Sequence, residues 1–238
     1  MSVHTIHLKV TTLSNLFIGG SPSTFEIGGI DLFTVTDYND KPYIPASSFK
    51  GSLRRIVRDL AGSSAEAKLI TEAYREYLRS KKRENLPRIE EMRDKDERFR
   101  RVEKRLEEAI HNASAEYLFG MEGFNHTPKL IFNDLRLIET GDVDPFSIDS
   151  KNSVKVSEPQ EDPNVVANPR TYKTVRPGVE FSGEIHFYML NQLAVSTDVI
   201  ARFIENAIYQ FNTGIYRLGN SGSRGYGRIQ VDVSREGD

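Results

Sequence analysis

Residues 181–211 read FSGEIHFYMLNQLAVSTDVIARFIENAIYQF, and this stretch decides the fold. Phe181, Gly183, Ile185, Phe187 and Met189 occupy alternate positions, the period of a strand with one buried face. At Ser196-Thr197-Asp198 the period lengthens to that of a helix, with Val199, Ile200, Phe203, Ile204, Ala207, Ile208 and Phe211 on its buried side. A last strand follows at Ile229, Val231 and Val233. The N-terminal part repeats the unit. His4, Ile6, Leu8 and Val10 share one side of a strand, with Val3, Thr5, His7 and Lys9 on the other. Pro45-Ala46-Ser47-Ser48 then opens a helix with core face Phe49, Leu53, Ile56, Val57 and Leu60, closed by Gly62. Leu130 to Leu137 reads as a strand between the two units.

The order β–α–insertion–β–long loop–β–α–β is that of a split βαβ. The expected class is therefore α+β, a modified ferredoxin-like (RRM-like) fold with one open sheet face, forming a single domain over residues 1–238. Two segments interrupt it. Residues 63–112 form a charged helical insertion: from Lys81 to Ile110, 20 of 30 residues are charged, 11 basic and 9 acidic, against 46 in the other 208. Leu69, Ala73 and Tyr77 recur at four-residue spacing, so Ala65 to His111 reads as two or more helices broken near Asn85-Leu86-Pro87. With charges that nearly cancel, it is either a solvated hairpin with one thin apolar face or an RNA-touching arm. Residues 139–178 form a long loop in which Pro145, Pro159, Pro163, Pro169 and Pro177 preclude a regular helix. Within it, Asn152 to Val156 and Val165 to Val175 read as the two halves of a protruding hairpin.

Composition removes several classes of function. The chain has 238 residues, no cysteine and a formal charge of −2, with 32 Lys plus Arg against 34 Asp plus Glu. Disulfides, cysteine-ligated zinc and a thiol nucleophile are excluded. Nothing suggests a membrane or secretion, so the expected location is the cytoplasm. A globally basic nucleic-acid binder is excluded, and any such surface has to be local. The histidines His4, His7, His111, His126 and His186 share no ligand spacing, and no phosphate-binding loop or zincin motif is present.

What remains is a set of glycine-rich and basic segments. Gly19-Gly20 and Gly28-Gly29 follow the first strand, with Asp31 just beyond. Asp31 is either a turn former or a carboxylate that orients a nucleophile or holds a metal. Ser47, Ser48, Lys50 and Arg54 lie at a helix start, where backbone N–H groups favour an anion. The alternative for the serines is an N-cap, although a cation such as Lys50 is unfavourable there unless an anion is bound. Gly219 to Arg228 holds Gly222, Ser223, Arg224, Gly225, Gly227 and Arg228, either a flexible connector or a backbone nest for an anion.

These segments, in this order, resemble the RAMP superfamily of CRISPR-associated proteins, and within it the repeated backbone subunit of type III-A interference complexes. The resemblance rests on Phe17-Ile18-Gly19-Gly20, Gly28-Gly29-Ile30-Asp31, the Pro45 to Arg54 helix start, Leu118-Phe119-Gly120 before a strand reaching Asp134, Val166 to Arg170, and Gly222-x-x-Gly225-x-Gly227-Arg228. It spans most of the chain outside the charged insertion. It implies a projecting hairpin, the thumb, over roughly Ser150 to Val175. It implies RNA contacts from Gly19, Gly20, Ser47, Ser48, Lys50, Arg54, Asn168, Arg170, Ser223, Arg224 and Arg228. Asp31 becomes the cleaving residue and a candidate ligand of Mg²⁺ or another divalent cation. The implied partners are guide RNA, complementary target RNA, further copies of the chain and other subunits of a type III effector complex. Phe17 is a departure, because relatives often carry histidine there.

RNA can be cut by its own 2′-OH attacking the adjacent phosphorus in line, so the protein mainly has to set the attack angle. Three other functions compete: a non-catalytic structural or capping subunit of the superfamily, a stand-alone guide-processing endonuclease, and a small-molecule α/β enzyme. The scattered histidines disfavour the second, and the absence of a cofactor motif disfavours the third.

Overall fold

A computed structural model of the chain describes residues 5–20, 30–93, 97–139, 141, 143–156 and 165–235, with backbone alone at 88–93, 98, 99, 152–156 and 165–169. Its elements run β1 (Thr5–Thr12), β2 (Leu32–Phe33), α1 (Ala46–Leu60), α2 (Ala65–Arg93), α3 (Glu97–His111), β3 (Lys129–Phe132), β4 (Arg136–Leu137), β5 (Phe146–Val156), β6 (Val165–Val175), β7 (Glu180–Tyr188), α4 (Thr197–Tyr209) and β8 (Ile229–Arg235). Val3, His4, Gly28 and Gly29 lie outside the described residues.

The main sheet has the order β3-β7-β1-β8, with β4 also on β7, and every pairing is antiparallel. Because β7 lies between β1 and β3, each β–α–β unit is split by a strand of the other, which is the ferredoxin-like arrangement. Register follows from burying one face: Leu8 pairs with Gly183 and Val233, and Val10 with Phe181 and Val231. Helices α1 and α4 cover that face, and Phe49 stacks on Phe211 with ring centroids 5.6 Å apart. Ser196 caps α4 by accepting the Asp198 N–H, as its position before the apolar period requires.

Four local expectations are corrected. The expected strand from Leu130 to Leu137 is two short ones, because residues 133–135 cross toward Ile44, which exchanges backbone hydrogen bonds with Leu135. Gly183 makes room for that crossing, since a Cβ there would lie 2.7 Å from Leu135 Cγ. Helix α1 stops at Leu60 without a left-handed residue at Gly62. Neither Ser47 nor Ser48 is its N-cap: Pro45 holds that place, and the Ala46 N–H is taken by Asp134 Oδ1 at 2.8 Å. Helix α2 continues through Pro87 rather than ending at Asn85-Leu86-Pro87. There the proline removes one helical hydrogen bond and crowds the Arg83 carbonyl, a cost borne on a stretch exposed to solvent.

The insertion is also more than a solvated hairpin. Ala67, Ile70, Ala73, Tyr74, Tyr77 and Leu78 join the main core, whereas Leu69 is 55% exposed. The Tyr74 hydroxyl donates to the Pro128 carbonyl at 2.8 Å, so this half of α2 is sewn to the strand that follows. The charged outer half carries ion pairs such as Lys82–Glu107 at 2.7 Å. No helix among the described residues is long and apolar enough to cross a membrane.

The 139–178 segment is mostly strand. β5 and β6 pair antiparallel over eleven residues each, from Phe146↔Val175 to Val156↔Val165. The return strand Val165–Val175 is as expected, but the pairing begins at Phe146, before the Ser150 start read for the thumb. Strand β2 lies parallel to β6 at Leu32↔Tyr172 and Phe33↔Lys173 only. Among the described residues, the part of the hairpin from Arg170 toward its tip pairs with itself alone.

Candidate nucleic-acid interface

Asp31 enters β2 and is fastened to the hairpin at both ends. Its N–H donates to the Thr171 carbonyl at 3.0 Å, and its Oδ2 accepts the Thr171 N–H at 2.6 Å. It acts as a clamp onto β6 rather than as a turn former. The residue is exposed, and its second carboxylate oxygen has no partner among the described residues.

Leu32, the next residue, points the other way, into a small cluster of Phe17, Tyr172 and Tyr226. Phe17 meets Tyr172 edge-on at 5.3 Å. Four segments far apart in sequence thus converge: the Phe17-Ile18-Gly19-Gly20 stretch, the Asp31 strand, the hairpin, and the C-terminal glycine-rich loop. The last is held closely. The Asn220 N–H donates to the Phe17 carbonyl at 2.8 Å, and a Cβ on Gly219 (φ +76°) would lie 2.4 Å from that oxygen. Gly227 (φ +73°) sits equally close to the Leu218 carbonyl, 2.0 Å from a built Cβ. These glycines are demanded by packing and by a left-handed backbone, so the loop is held in one conformation rather than being a flexible connector, and its Asn220, Arg224, Gly225, Tyr226 and Gly227 N–H groups donate to protein carbonyls. Gly20 donates to Phe33 at 3.0 Å and lies against Val35, and Gly19 bridges Thr34.

A groove of about 840 Å³ separates this loop from α1, lined by Gly51, Ser52, Arg55, Gly219, Gly222 and Ser223 among others. Arg217 also lines it, with Nη1 buried and unpartnered. Arg55 and Arg217 escaped the sequence reading; the position of Arg55 four residues after Gly51 was the available signal. Lys50 and Arg54 do not line the groove. Arg54 Nε bonds Glu116 Oε2 at 3.0 Å, and Arg58 takes both oxygens of the same carboxylate at 3.0 and 2.8 Å. The Arg58 bond foremost, with Arg54 assisting against partial burial, holds Glu116 below its usual range. Burial, then Arg54 and Lys129, lowers the Lys50 ammonium. Lys50 has no anionic partner among the described residues.

Ser47 is exposed on the first turn of α1 and Ser48 is half-buried there. Ser223, Arg170, Arg224 and Arg228 are exposed; Arg228 packs over Gly214, and its N–H donates to Ser14 Oγ at 2.9 Å. The side chain of Asn168 lies outside the described residues. The structure thus assembles Gly19, Gly20, Asp31 and the glycine-rich loop, but turns Arg54 toward an internal carboxylate. Sequence reading also missed Tyr226, whose hydroxyl donates to Asp149 of β5, and Lys151, which lies over the Tyr226 ring.

Among the described residues no group of three His, Cys, Asp or Glu side chains is placed to hold a metal ion. His7 Nδ1 and His186 Nε2 each lie 3.3 Å from a different oxygen of Glu184, one carboxylate between two imidazoles. Asp31 offers one free oxygen. That donor set suits a hydrated Mg²⁺ completing its shell with water and RNA phosphate, and cannot hold an ion by itself.

A ferredoxin-like body thus carries together a glycine-rich loop, a projecting hairpin and an exposed carboxylate clamped to that hairpin. A model of the RAMP superfamily matches residues 9–230, and the chain belongs to that superfamily. It is 25% identical over 228 residues to the "CRISPR system Cms endoribonuclease Csm3" of Enterococcus italicus, covering 94% of this chain and 87% of that protein. Its fold is similar, with a TM-score of 0.57 and 19% identity, to a chain in the cryo-EM structure of the Type III-B Cmr-beta bound to cognate target RNA. That match covers 98% of this chain and 60% of the other.

Proposed function

We propose that the chain is a guide-RNA-binding backbone subunit of a type III CRISPR effector complex and cleaves RNA paired to the guide. The observation that carries this reading is the placement of Asp31: an exposed carboxylate clamped to the projecting hairpin at Thr171, on the strand whose next residue packs against Tyr226 of the glycine-rich loop. The relative from Enterococcus italicus, named an endoribonuclease, supports the same activity. Further copies of the chain and other effector subunits are its partners along one guide.

The chemistry needs little machinery. The groove between the glycine-rich loop and α1 holds guide phosphates through Arg55 and Arg217. The hairpin, acting as a thumb, displaces a target nucleotide so that its 2′-OH lines up with the adjacent phosphorus. The free oxygen of Asp31 accepts a hydrogen bond from that hydroxyl and fixes its direction, while the Thr171 N–H keeps the carboxylate from turning away. Mg²⁺, held by Asp31 together with RNA phosphate, would supply positive charge at the reacting phosphate.

The test is Asp31→Asn in the assembled complex with Mg²⁺ and matched target. Asparagine keeps the acceptor for Thr171, so assembly and guide binding are expected to persist, while cleavage falls by about 10²-fold or more. Undiminished cleavage would remove Asp31 from the mechanism.

A further inference from the structure

The hairpin and the glycine-rich loop meet at a group of cations that the cleavage reading does not use. Lys151 of β5 is directly opposite Arg170 of β6, on the face that also carries Asp149 and Tyr172. Its Nζ lies 3.1 Å from the centroid of the Tyr226 ring, is buried, and makes no hydrogen bond. Arg224, in the glycine-rich loop, acts on Lys151 as a like charge. The carboxylate that counters Lys151 is Asp149, whose Oδ2 is taken by the Tyr226 hydroxyl. Among the described residues Lys151, Arg170 and Arg224 form no ion pair.

This is an unusual arrangement to leave uncompensated. An ammonium carries three donors, and a desolvated one with none satisfied is costly. The Tyr226 face attracts the cation but gives it no acceptor. Like charges directly opposite across a strand pair repel. A purely structural cluster would gain by replacing Lys151 with an apolar residue; a multiply charged anion would satisfy all three cations together.

We propose that Lys151, Arg170 and Arg224 form a phosphate subsite at the junction of the hairpin and the glycine-rich loop, oriented by the Asp149–Tyr226 pair. It rests on the reading of the chain as an RNA binder and takes a backbone phosphate of that RNA. Tyr226 holds the lysine stem in place, and Asp149 holds Tyr226. Burial foremost, with Arg224 adding to it against the pull of Asp149, lowers the Lys151 ammonium, which agrees with a cation short of an anion. Occupation would tie the hairpin to the loop, and thereby the Asp31 clamp to the guide.

The experiment measures binding of the full chain to a labelled 20-nucleotide single-stranded RNA by anisotropy across a salt series. Lys151→Met keeps the side-chain volume over Tyr226 and removes the charge. Its slope of log affinity against log salt is expected to fall by about 0.7, one single-strand phosphate contact. The slope of Arg224→Gln, a change at an exposed position, is expected to fall equally, and that of the double variant no further. An unchanged slope for Lys151→Met, or additive losses of about 1.4 in the double variant, overturns the shared subsite. Melting temperature separates packing from binding: Lys151→Met is expected to melt no lower than the wild type.

A second arm adds inorganic phosphate at constant ionic strength and follows the melting temperature of wild type and Lys151→Met. If the wild type fails to bind RNA but is stabilised by phosphate in a Lys151-dependent way, the RNA reading falls and the subsite stands for a free phosphate. If neither RNA nor phosphate responds to Lys151, the subsite itself is wrong.

Discussion

Glu116 shows how one residue sets what its neighbours are free to do. Its carboxylate takes Arg54 and Arg58 of α1 from the 3-10 turn at Ala115–Phe119, so two cations at the helix face are committed inside the protein. Glu116 is held below its ordinary value, the Arg58 bond being the largest cause. A carboxyl whose folded pKa is depressed adds stability that is present above its unfolded value near 4.5 and is lost as pH falls through the folded one. Glu116→Gln is therefore expected to cost about 1 kcal/mol at neutral pH and to make no difference in strong acid, read as a converging pair of urea midpoints. The same variant frees Arg54, and RNA affinity at low salt is expected to rise. Equal affinity would mean that Arg54 points away from RNA even when released. Gly219 makes a complementary case, because the conflict with the Phe17 carbonyl and the left-handed backbone both oppose a side chain. Gly219→Ala is expected to destabilise by about 1–3 kcal/mol in thermal melts and to weaken RNA binding with it.

Among the elements, legibility followed periodicity. β1, β7, β8, α1 and α4 have apolar residues at their own period, and the residues read as their buried faces are buried apart from partial exposure at the margins. The strand after the insertion was misread because its middle is pulled across to Ile44 by a tertiary contact, which no local pattern records. Pro87 misled because proline disfavours an interior helical position without forbidding it, and α2 extends over 29 residues around it. The site divides the same way: the glycine loops and Asp31 have composition that shows in the sequence, whereas Lys151, Tyr226 and Asp149 acquire meaning only when β5 meets the C-terminal loop. The insertion yields an element-scale prediction. Its inner half and Leu106 are core, and Lys82 and Glu107 mark where the two helices still lie side by side. Replacing residues 84–103 by a short Gly-Ser linker is expected to leave a cooperatively folding protein. Extending the deletion over residues 80–108 removes Leu106 and is expected to cost a further 2–5 kcal/mol in denaturant titrations.

At the scale of the whole molecule, charge and shape have to be considered together. The chain carries a net charge of −2, so no long-range field draws RNA to it. On the proposed function, binding has to come from Arg55, Arg217 and Arg224 at the glycine-rich loop and its groove, with Lys151 and Arg170 of the hairpin. A local patch contacting about four phosphates of a single strand gives a log–log salt slope near −2.8, or about a 50-fold loss of affinity between 50 and 200 mM salt. If, as proposed, repeated copies line one guide, they would multiply that dependence, because each added subunit would bring the same patch to the next stretch of RNA. Mixing the chain with single-stranded RNAs of increasing length and weighing the complexes by native mass spectrometry is therefore expected to give a ladder rising by one chain per fixed increment of nucleotides. Raising the salt should strip the ladder from its longest species downward, and Asp31→Asn should leave it intact, since the carboxylate opposes rather than supports phosphate binding. A single stoichiometry at every RNA length would contradict a backbone role and point to a subunit that caps one end.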